Sequence, residues 1–151
     1  MALDHTLYLV TPLGPAEALR LMAEHLKLKW SDEYHLSGPE VWIYSSEASE
    51  PELSLMSESF HFRPDLLVGF EVYTGDEGYE ESLRIMLRAT MLLLEHAGNA
   101  VLLLNGEHIL LQRISGELVL NADYGNWTKG LMLEDEIRAP HDRRPLPSPL
   151  R

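Results

Sequence analysis

Apolar and polar residues alternate over residues 3–10, with Leu7 and Leu9 on one face and Tyr8 and Val10 on the other, which predicts a first β-strand. Thr11-Pro12-Leu13-Gly14 stops it, and Pro15 opens a helix, because proline suits a first turn that needs no amide donor. Ala16, Leu19, Met22, Ala23 and Leu26 then recur at helical spacing until the pattern fades near Lys29. Residues 30–39 read as an irregular connection. Residues 40–44 read as a short strand rich in β-formers. Residues 45–59 are dominated by Ser, Glu and Pro and read as a long loop, in which residues 53–57 could form a short strand or turn.

A strand follows at residues 66–73, with Leu66, Val68, Phe70 and Val72 as its core face. The second helix carries Glu77, Glu80 and Glu81 at the positive end of its dipole. Its buried stripe is Tyr79, Leu83, Met86, Leu87, Thr90, Leu93, Leu94 and Ala97, with Gly98 as a natural C′ residue. Residues 100–104, Asn105-Gly106 and residues 107–114 form a hairpin signal, since a tight type I′ turn needs two positive φ angles. Ser115-Gly116 turns the chain again into a strand at residues 117–121, followed by a loop and a short helix within residues 127–137.

The element order is β-α-β-β-α-β-β-β. Two helices are too few for a doubly wound parallel sheet. The expected fold is α+β, with both helices on one face of a mainly antiparallel sheet. The first six elements have the order of a ferredoxin-like split unit, extended by further strands. Residues 1–137 are expected to form one globular domain. Residues 138–151 hold four prolines and four arginines (Arg138, Arg143, Arg144 and Arg151) and are expected to be an extended tail.

Charge changes this picture. The 151 residues carry 12 Lys+Arg and 24 Asp+Glu, a formal charge of −12. Residues 31–83 hold 13 of the acids and a single base, Arg63, which accounts for the whole excess. Such a field attracts cationic partners and repels nucleic acid and anionic membranes. There are no cysteines, so disulfides and thiolate chemistry are excluded. Residues 1–5 hold no basic cluster, and the apolar run at residues 91–94 is too short to span a bilayer, so a cytoplasmic protein is expected.

Catalytic motifs are missing from the linear sequence. The histidines at 5, 25, 35, 61, 96, 108 and 141 include no i, i+4 pair and no HExxH, so no metal or cofactor is expected. Residues 121–126 hold alternating oxygen ligands but lack the sixth-position glycine and closing glutamate of a calcium loop, and read as a turn. Glu80-Glu81 and Glu134-Asp135-Glu136 are neighbours on exposed segments and diverge rather than converge on a cleft. A site assembled by the fold would draw on Glu71, His61 and Asn121.

The absence of chemistry points to binding. Residues 7–19 (LYLVTPLGPAEAL), 64–73 (PDLLVGFEVY), 98–121 (GNAVLLLNGEHILLQRISGELVLN) and 138–149 (RAPHDRRPLPSP) together resemble the Sit-type immunity proteins of bacterial polymorphic toxin systems. The resemblance implies a cytoplasmic, non-catalytic protein that binds and neutralises a cognate toxin. The acidic stretch complements it, with Asp32, Glu33, Glu47, Glu50, Glu52 and Glu58 as the recognition field and Trp30 or Trp42 as the apolar anchor. Core packing is the competing role for Trp30, Trp42 and Trp127. The competing function is a self-associating module, a homodimer formed through an open sheet edge.

Overall fold

The computed structural model describes residues 2–75 and 77–149. Asp76, one of the 13 acids of residues 31–83, and Arg151 of the tail lie outside the described residues. The strands are β1 (Ala2–Leu9), β2 (Lys29–Asp32), β3 (His35–Ser37), β4 (Val41–Ser46), β5 (Leu66–Tyr73), β6 (Ala100–Leu104), β7 (His108–Ile114), β8 (Glu117–Asn121) and β9 (Asp142–Arg144). The helices are α1 (Pro15–His25), α2 (Glu50–Phe60) and α3 (Tyr79–Leu94). The strands form one sheet in the order β2-β3-β4-β5-β1-β6-β7-β8-β9, antiparallel throughout except for the last pair. The α+β class holds, and β4-β5-β1-β6 with α1 and α3 make the split β-α-β arrangement that the element order predicts.

Strand alternation decides which residues meet which helix. Leu7, Leu9, Leu66, Val68, Phe70 and Val72 point to one face, where Ala18 and Met22 of α1 and Leu83, Met86 and Leu87 of α3 cover them. All four residues of the expected β5 core face are fully buried. Trp127 also joins this core, packed edge-on against Tyr124 with ring centres 5.5 Å apart. Asn105 and Gly106 have φ of 52° and 71°, the left-handed pair expected there, and the turn at Ser115 and Gly116 uses a second such pair at 51° and 84°. α3 ends one turn before Gly98. The guanidinium of Arg113 on β7 donates to the carbonyls of Leu94, Ala97 and Gly98 instead.

Two segments differ from expectation. The irregular connection over residues 30–39 is a hairpin, β2–β3, inserted before β4 and anchored by the fully buried Leu36. The Asp32 carboxylate accepts the Tyr34 N–H at 2.7 Å and shapes its turn. The long loop over residues 45–59 contains α2. Ser49 and Glu52 form a reciprocal capping box, with Ser49 N donating to Glu52 Oε1 at 2.9 Å and Glu52 N to Ser49 Oγ at 3.4 Å. Pro51 sits in the first turn, where it breaks no helical bond. Met56 and Phe60 then pack with Phe62 on Val101, Leu103 and Ile109, the sheet face opposite α1 and α3. Each such side chain contributes about 1.5–3 kcal/mol when fully buried. Ser49→Ala should lower stability by about 1 kcal/mol in urea titrations, while Ser49→Asp should leave it nearly unchanged. Among the described residues, no helix is long and apolar enough to cross a membrane.

Candidate functional site

The sequence-predicted binding residues fall into two groups. The first lies on β2, β3 and β4. Trp30 is 47% exposed and stands opposite Leu36, so it projects from the α1 side of the sheet. Trp42 stands opposite Ser37 and projects from the other side. The two tryptophans therefore do not form one anchor. Trp42 stacks on His35 with ring centres 4.6 Å apart, and its indole N–H donates to Ser31 Oγ at 3.2 Å. Asp32 accepts from His35 Nδ1 at 2.8 Å, and that bond together with the Tyr34 N–H holds its carboxyl below the usual range. Glu33 is exposed in the turn.

The second group belongs to α2 and the segment leading into it. Glu47, Glu50 and Glu58 are exposed. Glu52 is half-buried, and besides capping the helix it accepts the Tyr8 hydroxyl at 3.1 Å. Burial, reinforced by this carboxylate, pushes the Tyr8 phenol well above its ordinary range. Glu47 also lines an open hollow of about 990 Å³ with Thr11, Gly14, Asp65 and His96. Asp65 there accepts the Thr11 N–H at 3.0 Å and ties down the β1 exit.

Between the two groups lies a stretch of sheet that sequence reasoning did not assemble. Across β4, β5 and β1, one row runs Trp42, Glu71, Asp4 and the next runs Tyr44, Gly69, Thr6. Gly69 is required here: a Cβ at that position would fall 2.1 Å from Tyr44 Cζ, so the Tyr44 ring lies over the bare glycine backbone. Burial pushes the Tyr44 phenol upward, and the carboxylates of Asp4, Glu71 and Glu52 add to the shift. Alternation alone places Asp4 and Glu71 on the face away from α1 and α3. Their juxtaposition needs the β1–β5 pairing, which no local pattern encodes.

Glu71, His61 and Asn121 do not come together. Glu71 on β5 and Asn121 on β8 are separated by four strand spacings, about 19 Å. His61 is exposed at the left-handed C-cap of α2. Asn121 is buried at the wall of a small hollow of about 340 Å³, and its amide holds the C-terminal segment there. Among the described residues, no group of three or more His, Asp or Glu is placed to hold a metal ion.

No curated protein matches the chain, and no solved structure does. A family model, SitI3-like, matches residues 3–131, from the second residue of β1 through the meander and beyond Trp127. The match spans the acidic stretch, α2 and the half-open sheet face, and the chain belongs to the SitI3-like family, within the Sit-type immunity proteins that its strand and hairpin segments resemble.

Proposed function

We propose that the protein is a cytoplasmic, non-catalytic immunity protein that binds a cognate cationic toxin through its acidic surface and neutralises it. Family membership supports the immunity role. The observation that carries the mode of binding is the distribution of ion pairs. On α3, Glu80 and Glu81 face Arg84 and Arg88, and Glu136 accepts Arg88 Nε at 3.0 Å and Arg84 Nη1 at 3.2 Å. Near the C-terminus, Glu134 meets His141 and Arg143, and Glu117 meets Arg144. By contrast, Glu33, Glu47, Glu50, Glu52 and Glu58 have no cationic partner among the described residues. Carboxylates left uncompensated in this way supply a long-range field for a basic surface and raise its rate of encounter.

The test is co-expression with the cognate toxin, where protection and a co-purifying complex are expected. Glu47, Glu50 and Glu58 together changed to Lys should slow association by about tenfold or more at low salt and flatten its salt dependence. Glu52 is kept in this variant because its loss would damage the α2 cap. Unchanged association rates would remove α2 from the recognition field. Self-association through β2 is the competing reading, since that strand is a free sheet edge with all four residues exposed. The register shift between Trp30 and Asp32, and Lys29 at its start, blunt that edge against pairing.

A further inference from the structure

We infer that the uncovered half of the sheet, with Trp42 and Tyr44 as its floor and Asp4 and Glu71 beside them, is the docking face for an arginine-bearing surface of a cationic protein partner. The identity of that partner as the toxin rests on the immunity reading above. The face itself rests on four observations.

First, α2 covers only part of this side of the sheet. Its apolar cluster runs from β6 and β7 to Tyr8 on β1, and the Glu52–Tyr8 bond marks its edge there. Tyr44 and Glu71 beyond that edge stay partly open, and Asp4 and Tyr73 are exposed. Second, Asp4 and Glu71 stand directly opposite each other across β1 and β5. Like charges at such a position destabilise a sheet. No ion pair relieves either of them among the described residues. Third, the aromatic floor is held in place before any partner arrives: Trp42 by its stack on His35 and its bond to Ser31, Tyr44 by its seat over Gly69. Fourth, charge complementarity chooses the occupant. A guanidinium can stack its plane on an aromatic ring while its N–H fork reaches neighbouring carboxylates, whereas a lysine ammonium has neither the plane nor the fork. A second copy of this chain would bring the same negative face against itself.

The test is an ¹H–¹⁵N titration of the full chain with hexa-arginine amide, with hexa-lysine amide as the charge-matched comparison. Shifts are expected at the Asp4, Tyr44, Gly69 and Glu71 amides and at the Trp42 indole, with arginine the tighter ligand. Two variants remove equal charge. Asp4→Asn with Glu71→Gln should weaken hexa-arginine binding about tenfold, and Glu24→Gln with Asp123→Asn, at exposed carboxylates outside the recognition field, less than about twofold. The first variant should also melt about 1–3 °C higher, because it removes a cross-strand repulsion. Loss of binding with a gain in stability separates a docking face from a structural one.

Equal weakening by the two variants, shifts confined to α2, or no preference for arginine would overturn the inference. So would dimerisation in sedimentation that buries these same amides. A wild-type chain that fails to protect cells from its cognate toxin would instead overturn the immunity reading, whichever way the titration falls. Protection retained in full by the Asp4→Asn, Glu71→Gln variant, with unchanged affinity for the toxin, would overturn the face alone.

Discussion

Replacing His5 with phenylalanine should remove most of the loss of stability that the wild-type fold suffers on acidification through the histidine range. His5 is 2% exposed on β1, between Phe70 and Leu104 on the neighbouring strands. Its Nδ1 has no hydrogen-bond partner. Burial is the main cause that lowers its pKa from 6.5 to about 4, opposed in part by the Leu3 and Phe70 carbonyls and by Asp4. The imidazole is therefore neutral in the folded protein and protonates in the unfolded chain near 6.5. Between these two values the unfolded state binds more protons, so stability falls as the pH falls. The full excursion corresponds to about 3 kcal/mol. Phenylalanine keeps a ring in the site and removes the orphaned nitrogen, so it should cost little at neutral pH.

Urea midpoints at about pH 7 and pH 4 for both proteins give the comparison, and carboxylate effects common to the two cancel. An equal loss in both proteins would clear His5 of responsibility. His141 works in the opposite direction. Burial would lower its pKa, but the Ala139 carbonyl and the Glu134 carboxylate, 2.8 Å away, outweigh burial and raise it. Its stabilisation is complete below about 6.5 and fades as the pH rises through the raised value, so it does not mask the acid limb.

Asn121→Leu should cost about 2–4 kcal/mol and loosen the C-terminal strand before the rest of the fold. The Asn121 amide nitrogen donates to the carbonyls of Ile109 at 2.7 Å and Leu146 at 3.1 Å. Its oxygen accepts the N–H groups of Asp123 and Leu146, both at 3.0 Å. Two donors and two lone pairs are thus fully used. What else holds β9 is its short parallel ladder to β8, the Glu134 contacts to His141 and Arg143, and the exposed Arg144–Glu117 pair, a weak contributor. Limited trypsin digestion should cut after Arg143 at least about tenfold faster in the variant, with the core fragment persisting. Cleavage at the wild-type rate would mean that the ladder and the ion pairs secure the strand without Asn121.

The parts of this fold that follow from local alternation could be read from the sequence. β5 and its buried face, the amphipathic stripe of α3 and the Asn105-Gly106 hairpin each depend on residues within a few positions of one another. α2 was obscured by composition. Its helix signals were present, Ser49-Glu50-Pro51-Glu52 as a capped first turn and then Leu53, Met56 and Phe60 at helical spacing, but the Ser, Glu and Pro content of residues 45–59 suggested a loop. The β2–β3 hairpin has a single buried residue, Leu36, and too few apolar positions to show a period. The proposed docking face was hidden for a different reason. The acidic stretch was visible as charge, but Asp4 lies outside it, and its neighbour Glu71 is set by long-range strand pairing. Asn121 likewise looked like a turn residue because its partner, Leu146, sits in the tail.

The place of β1 in the sheet also governs when a working molecule can exist. The first strand made is a central one, and its two neighbours, β5 and β6, start only at Leu66 and Ala100. Such distant pairing carries a loop-closure cost before any contact repays it, and topologies dominated by it fold in milliseconds to seconds rather than microseconds. Synthesis therefore leaves Leu7 and Leu9 without their full cover until late, a window in which the nascent chain is open to aggregation. A fragment ending before Ala100 would carry the whole acidic stretch of residues 31–83 while β1 still lacked one of its two neighbours. Net charge appears early in the making of this protein, and the ordered surface that gives the charge a shape appears only at closure.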